Sequence, residues 1–182
     1  MKIAISVCSL MIASVVFAAE PIKSGPQVGD KVPGPFEPFN VTGSNAGEEC
    51  CLFCKFGNDP VVMIFAKDIS DPLSALTKKI DELGVKYKKA DLGSCVIFWQ
   101  KGAALRPALK TLAEKQGLKE IVLATLEKGP TDYAISKDAD VTVILYTGAA
   151  VKANYAFRKG ELDEKAIEAI VKDVAKILPS KK

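Results

Sequence analysis

The sequence predicts an α/β domain with a central mixed sheet flanked by helices. The clearest sign is Val61–Ala66, an unbroken apolar run between Pro60 and Lys67, which is typical of a strand buried on both faces. Stretches with apolar residues at helical spacing alternate with further short apolar runs, and this alternation favours a mainly parallel sheet. Two late strands on either side of Gly148 add an antiparallel hairpin.

From Val61 onward the predicted elements follow the order β-α-β-α-β-β-β-α, after an extended segment at 36–42 and a loop at 44–59. In the first helix, Asp71 is a suitable N-cap, Pro72 suits the first position and Gly84 is a natural end. The remaining elements are strands at 94–100, 121–126, 141–147 and 151–157, a helix at 105–117 and a closing helix at 167–178.

Composition narrows the chemistry that the chain can perform. The 182 residues include 25 Lys and Arg, 22 Asp and Glu, five Cys and no His, for a formal net charge of +3. This near-neutral balance gives no reason to expect a nucleic acid partner. The absence of histidine excludes Ser-His-Asp and Cys-His nucleophile systems, His-ligated zinc and His-held haem. Thiol, carboxylate, lysine and tyrosine chemistry remain.

The first residues predict a secretory signal peptide at 1–18. Lys2 supplies a positive charge, Ile3–Phe17 is apolar, and Val16 and Ala18 suit a cleavage site. The apolar run is shorter than the roughly 20 residues of a membrane-spanning helix, so no membrane insertion is expected after cleavage. We therefore expect a secreted or periplasmic protein with an irregular lead-in at 19–35, one domain at 36–178 and a tail at 179–182.

Three of the four cysteines of the mature chain lie in the loop before the first long strand. Cys51 and Cys54 form a C-x-x-C pair, whose spacing allows a disulfide and whose thiols often have depressed pKa values. Lys55 would favour a thiolate there, whereas Glu48 and Glu49 would oppose it. We interpret Cys51 and Cys54 as candidate catalytic residues in thiol–disulfide exchange with a protein partner, with no cofactor and no metal.

A structural role for the same cysteines is the alternative, because disulfides stabilise exported proteins. Four cysteines allow three pairings. A Cys51–Cys54 disulfide is favoured, a Cys50–Cys95 disulfide stays open, and a vicinal Cys50–Cys51 bond is strained. Cys95 is also interpreted as a buried strand thiol. A four-thiolate metal site has poor spacing, since Cys50 and Cys51 would crowd one ion.

The element order, the opening segment Val28–Phe36 (VGDKVPGPF) and the Cys51-Leu-Phe-Cys54 motif together resemble the thioredoxin-like superfamily. Within it, the chain is most similar to the exported peroxiredoxin-like branch, of the thiol-specific antioxidant type. The resemblance spans roughly 26–178 and implies a thioredoxin-like fold with thiol–disulfide exchange or peroxide reduction. It implies in addition that the more N-terminal cysteine of the pair attacks, which the residues alone leave undetermined.

The sequence departs from the family pattern at the usual active site. Family enzymes carry the reactive cysteine after the first central strand, but the segment 67–73 (KDISDPL) contains none, and no Thr-x-x-Cys is present. Asp68 and Asp71 occupy that position, and the segment 138–142 lacks the family's proline. Two hypotheses follow. In the first, a displaced Cys51/Cys54 pair performs exchange; in the second, the chain is a non-catalytic binding or structural module with a stapling disulfide.

Overall fold

A computed structural model describes residues 20–129 and 131–179, so the predicted signal peptide and the last three residues of the tail lie outside the described part. Six strands form one sheet in the order β1-β4-β3-β2-β5-β6. β2, β3 and β4 are parallel, and β1, β5 and β6 are antiparallel to their neighbours, so the predicted mixed sheet is confirmed. The strands are β1 Phe39–Asn40, β2 Val61–Ala66, β3 Gly93–Phe98, β4 Val122–Thr125, β5 Val141–Thr147 and β6 Ala150–Phe157.

Within residues 20–129 and 131–179, four α-helices flank this sheet: α1 Leu52–Phe56, α2 Asp71–Lys86, α3 Arg106–Gln116 and α4 Glu164–Asp173. β2 shows how the two sides are divided, because successive side chains of a strand point to opposite faces. Val62 and Ile64 join the buried cluster that contains apolar residues of α2, α3 and α4. Val61 and Met63 join the cluster on the other face, which contains Leu52 of α1. All six residues of β2 are buried, as the continuous apolar run predicts.

The helix boundaries differ from the predicted ones in ways that side-chain hydrogen bonds explain. Ser70, not Asp71, is the N-cap of α2, since its Oγ accepts a hydrogen bond from the Leu73 amide at 3.4 Å. Asp71 therefore becomes the first helical residue, and Pro72 the second. α4 begins at Glu164 because the Asp163 carboxylate accepts from the Ala166 amide at 2.7 Å. These caps precede the first apolar residue of each helix, so apolar spacing alone places the starts too late.

One buried carboxylate ties α2 to the sheet. Asp81 is 1% exposed, and its Oδ1 accepts hydrogen bonds from the backbone amides of Lys119, Glu120 and Ile121 at 2.8, 2.7 and 3.0 Å. Such bonds satisfy a buried side-chain oxygen and three backbone donors together. Asp81 therefore holds the turn before β4 against the middle of α2, and its burial is a structural feature.

The lead-in packs along the hairpin of β5 and β6 without regular structure of its own. Ser24 is buried, and its Oγ lies 2.7 Å from the Thr142 hydroxyl on β5. The Asn154 amide on β6 donates to the backbone carbonyls of Ser24 and Pro26, both at 2.9 Å. These contacts hold the segment that precedes β1 against the sheet.

Candidate functional site

The Cys51–Cys54 segment forms a short helix in the structure, so the prediction of a loop over 44–59 is wrong at this point. Cys51 is the N-cap of α1, and its Sγ accepts a hydrogen bond from the Cys54 amide at 3.0 Å. At the other end, the amide of Gly57 donates to the Phe53 carbonyl, with Gly57 at φ 58°. A five-residue helix is too short for an apolar repeat to show, which explains why the sequence pattern missed it.

The structure brings the two sequence-predicted site residues together as a disulfide. Cys51 and Cys54 are bonded, with their Cα atoms 5.3 Å apart, as the C-x-x-C spacing predicts. Their environments differ: Cys51 is half-buried at the start of α1, whereas Cys54 is exposed. Cys54 is therefore the more exposed residue of the bonded pair.

The other two cysteines of the described chain are free thiols, so the Cys50–Cys95 pairing that the sequence left open does not form. Cys50 is half-buried beside the pair. Cys95 is fully buried in β3, in the cluster that contains Leu52 and Tyr146. Burial raises the pKa of the Cys95 thiol far above its usual range, because a thiolate would lose its hydration there. The prediction of a buried strand thiol is confirmed.

Three apolar side chains anchor α1 on the sheet. Leu52 is 1% exposed beneath the helix. Phe53 stacks on Tyr146 of β5, with ring centroids 6.4 Å apart. Phe56 lies directly over Gly93, so closely that a Cβ at Gly93 would stand 2.5 Å from the ring. The disulfide is therefore held at the end of the sheet where β2 and β3 begin.

Three charged residues lie near the pair in the sequence: Lys55, Glu48 and Glu49. The Lys55 ammonium donates to the Ser44 hydroxyl at 2.9 Å, which directs it toward the preceding loop. Glu48 and Glu49 are exposed in that loop. Among the described residues, the short polar contact to the site sulfurs is the Cys54 amide, which donates to Cys51 Sγ.

The carboxyl end of β2, where family enzymes carry their reactive cysteine, holds a different set of residues. Asp68 accepts a hydrogen bond from the Ile69 amide at 3.0 Å and forms an ion pair with Lys101. The Lys101 ammonium holds the pKa of the Asp68 carboxyl below its usual range, against the opposing effect of partial burial. Ser70 caps α2, as described above. No cis peptide bond is present among the described residues.

Neither a metal cluster nor a membrane span is found within residues 20–129 and 131–179. No group of three or more His, Cys, Asp and Glu side chains is arranged there to hold a metal ion. No helix in these ranges is long and apolar enough to cross a membrane.

Comparison with known proteins identifies the fold. No protein-family profile matches the sequence, and no curated protein is significantly similar to it. Solved structures are similar in three dimensions. A candidate protein disulfide isomerase from Bacteroides thetaiotaomicron superposes with a TM-score of 0.64 at 14% identity, over 86% of this chain and 94% of that chain.

Two further solved structures resemble the chain over most of its length. The peroxidoxin BcpB of Mycobacterium tuberculosis gives a TM-score of 0.62 at 14% identity, over 84% of this chain and 99% of that chain. A secreted disulfide oxidoreductase of the same organism, homologous to E. coli DsbE, gives a TM-score of 0.56 at 10% identity, over 78% of this chain and 95% of that chain. The thioredoxin-like fold inferred from the sequence is therefore confirmed.

Proposed function

We propose that this thioredoxin-like protein exchanges thiols and disulfides with a protein partner through Cys51 and Cys54. The observation that carries the proposal is the Cys51–Cys54 disulfide at the start of α1, in which Cys54 is an exposed residue and the Sγ of Cys51 accepts a backbone N–H. Several solved neighbours are described as disulfide oxidoreductases or isomerases. The signal-peptide pattern at 1–18 and the secreted neighbour support work outside the cytosol, in a secreted or periplasmic setting where disulfides persist.

The two sulfurs have separate roles in this reaction. A partner thiolate attacks the Sγ of the exposed residue Cys54, which forms a mixed disulfide and breaks the Cys51–Cys54 bond. Cys51 leaves as a thiolate, and the Cys54 amide, which already contacts its Sγ at 3.0 Å, stabilises the negative charge. A second partner thiolate then attacks the partner sulfur of the mixed disulfide and releases Cys54 as a thiolate. The partner gains a disulfide, and the pair takes up two electrons and, on protonation of its thiolates, two protons.

This order differs from the expectation that the resemblance implies, in which the more N-terminal cysteine forms the mixed disulfide. The reason is accessibility, because exchange requires direct approach of a thiolate to the attacked sulfur. Cys51 is half-buried at the N-cap, whereas Cys54 is exposed. Exposure favours attack at Cys54, and the hydrogen bond at Cys51 makes it the better leaving group.

The equilibrium potential of the pair tests the proposal. The protein is equilibrated in glutathione buffers of defined composition, and the oxidised fraction of Cys51 and Cys54 is measured by alkylation and mass spectrometry. Exchange requires a potential above about −300 mV, within reach of cellular thiols. A value below that limit would mean a structural disulfide and would refute the proposal. Cys50→Ala serves as the control, because it removes the neighbouring thiol and leaves the pair intact.

The point of attack is tested on the same Cys50→Ala protein. The oxidised form is mixed briefly with glutathione, quenched with acid and digested, and the glutathione adduct is located by tandem mass spectrometry. We expect the adduct on Cys54. An adduct found mainly on Cys51 would contradict the assigned roles without affecting the potential measurement.

The competing function is a non-catalytic module whose disulfide is structural, and the absence of a cysteine at the carboxyl end of β2 favours it. A disulfide between residues three apart closes a very short loop, which limits its entropic stabilisation to about 2 kcal/mol. Under this alternative, reduction would lower the unfolding free energy by about that amount. Glutathione would also leave the bond intact at cellular concentrations.

A further inference from the structure

A second concave site lies at the opposite end of the sheet from the disulfide. A cavity of about 410 Å³ opens where β2 and β3 end and β5 begins. Lys67 directly follows β2, Lys101 lies just beyond β3, and Arg158 directly follows β6. In open α/β sheets, ligands bind at the carboxyl ends of the parallel strands. This end of the sheet carries no thiol among the residues that line the cavity, so its chemistry must differ from that of Cys51 and Cys54.

The cavity has an excess of positive charge. Four cations line it, against two carboxylates: Lys67, Lys101, Arg158 and Lys159 against Asp68 and Asp140. Asp68 is shared, since it pairs with Lys101 and is also attracted by the charge of Lys159. Lys159 makes no ion pair of its own within the described part of the chain. The single Asp68 carboxylate thus interacts with both the Lys101 and the Lys159 ammonium groups, so these groups can still donate hydrogen bonds to a ligand.

Two other cations of the cavity, Lys67 and Arg158, donate hydrogen bonds to backbone carbonyls. The Lys67 ammonium donates to the Lys137 carbonyl. The Arg158 guanidinium donates to the Glu20 carbonyl at 3.2 Å and contacts the Glu161 carboxylate at 3.4 Å, outside the cavity lining. A carbonyl carries no formal negative charge, so this hydrogen bond does not pair Lys67 with an anion. Allowing for Glu161, the region around the cavity still carries a net positive charge.

Part of the cavity wall is apolar, and its size suits a small molecule. Apolar side chains of Ile69, Pro72, Val141 and Leu162 line it together with the charged groups. Small-molecule sites occupy roughly 300–1,000 Å³ and combine apolar walls with a few polar anchors. A partly enclosed apolar wall also strengthens charge interactions relative to open water.

We propose that this cavity binds a small organic anion, a carboxylate or a phosphate ester with a short carbon skeleton. Lys159 and Lys101 contact its oxyanion, Lys67 adds long-range attraction, and the apolar wall holds its carbon atoms. In the free protein the Asp68 carboxylate interacts with the Lys101 and Lys159 ammonium groups. The ligand anion therefore competes with Asp68 for these two groups. The site is independent of the disulfide and of its redox state.

The test is isothermal titration calorimetry of the purified protein at low ionic strength, with succinate and glycerol 3-phosphate as probes and glycerol as the neutral control. We expect saturable binding of at least one anion and none of glycerol, with affinity falling as salt is raised. Preference for succinate would assign a carboxylate ligand, and preference for glycerol 3-phosphate a phosphate ester. Saturable binding of neither anion would overturn the proposal.

Two variants with opposite expected effects locate the site. Lys159→Gln removes a contacting ammonium and should weaken binding about tenfold. Asp68→Asn keeps an acceptor for the Ile69 amide but removes the competing charge, so binding should tighten about twofold to fivefold. Lys152→Gln and Glu168→Gln are the matched controls, since both residues are exposed and lie outside the cavity lining.

Equal losses in Lys159→Gln and Lys152→Gln would mean nonspecific attraction to a basic protein and would refute the site. Unchanged or weaker binding in Asp68→Asn would refute the role given to this carboxylate. Thermal unfolding of each variant without ligand confirms that the fold is retained before the affinities are compared.

Discussion

Replacing Gly93 with alanine should displace the helix that carries the disulfide. Gly93 is the first residue of β3, and Phe56 of α1 lies over it. An alanine Cβ would stand 2.5 Å from Cδ1 of that ring and 2.8 Å from Cγ and Cε1. Carbon atoms in contact prefer 3.5–4.0 Å, so the ring must move away by about 1 Å. Because Phe56 is a residue of α1, the helix must shift or the ring must leave its position.

Two opposing effects set the size of the expected change. Alanine in a strand is favoured over glycine by roughly 0.5–1 kcal/mol, because it loses less backbone entropy on folding. Overpacking of a well-filled core costs about 1–3 kcal/mol. Gly93 does not have a positive φ, so alanine introduces no backbone strain. The steric effect exceeds the entropic one, and we expect a net loss of roughly 0.5–2 kcal/mol in unfolding free energy.

A double-mutant cycle with Phe56→Ala isolates this contact. Urea unfolding is measured for the parent, both single variants and the double variant. In the Phe56→Ala background the ring is absent, so Gly93→Ala should be neutral or stabilising. A coupling free energy of about 1 kcal/mol or more is therefore expected. If Gly93→Ala were equally stabilising in both backgrounds, the packing of α1 over Gly93 described above would be refuted.

Three further predictions concern the buried carboxylate, the free thiols and acid stability. Asp81→Ala leaves three backbone amides without an acceptor and should lower the unfolding free energy by about 3 kcal/mol or more in urea titrations. Asp81→Asn keeps the acceptor and should cost less than half of that. Equal losses in the two variants would contradict the hydrogen-bonding role of Asp81. In the native oxidised protein, Ellman's reagent should react quickly with Cys50 and should react with Cys95 only after unfolding. The reason is that burial raises the pKa of the Cys95 thiol and shields it from the reagent. Fast reaction of two thiols in the native protein would contradict this burial. The pKa of Asp68 is lower in the folded than in the unfolded protein, so Asp68 adds to the unfolding free energy above the unfolded pKa, and this contribution is lost as pH falls through the folded value. The acid-dependent loss of stability should therefore be smaller in Lys101→Gln, which lacks the ion pair. An identical dependence of stability on pH in both proteins would show that the ion pair is without effect.

The central sheet could be predicted from the sequence because its signals are local. Val61–Ala66 is apolar throughout and becomes the strand buried on both faces. The hairpin around Gly148 forms as predicted, with Gly148 at φ 56° in the turn. The Cys51–Cys54 pairing also follows from sequence, since two intervening residues let a turn or the start of a helix bring the sulfurs within bonding reach. The family resemblance rests on the same local features and correctly implied the fold.

Features that depend on contacts between distant segments could not be predicted. α1 has one turn and owes its position to Leu52, Phe53 and Phe56 packing on strands that come later in the chain. The role of Asp81 depends on amides about 40 residues away. The cationic cavity likewise gathers residues that follow three different strands.

The sequence by itself determined that the chain forms an α/β sheet domain, that its chemistry lacks histidine, and that Cys51 can bond to Cys54. Those properties depend on composition and on short-range spacing. Only the tertiary structure showed that Cys54 is exposed and Cys51 half-buried, because the exposure of a side chain depends on how α1 packs against the sheet. Only the structure, too, decided where the positive charges meet, since parallel strands bring their carboxyl ends to one edge of the sheet regardless of their separation in the chain.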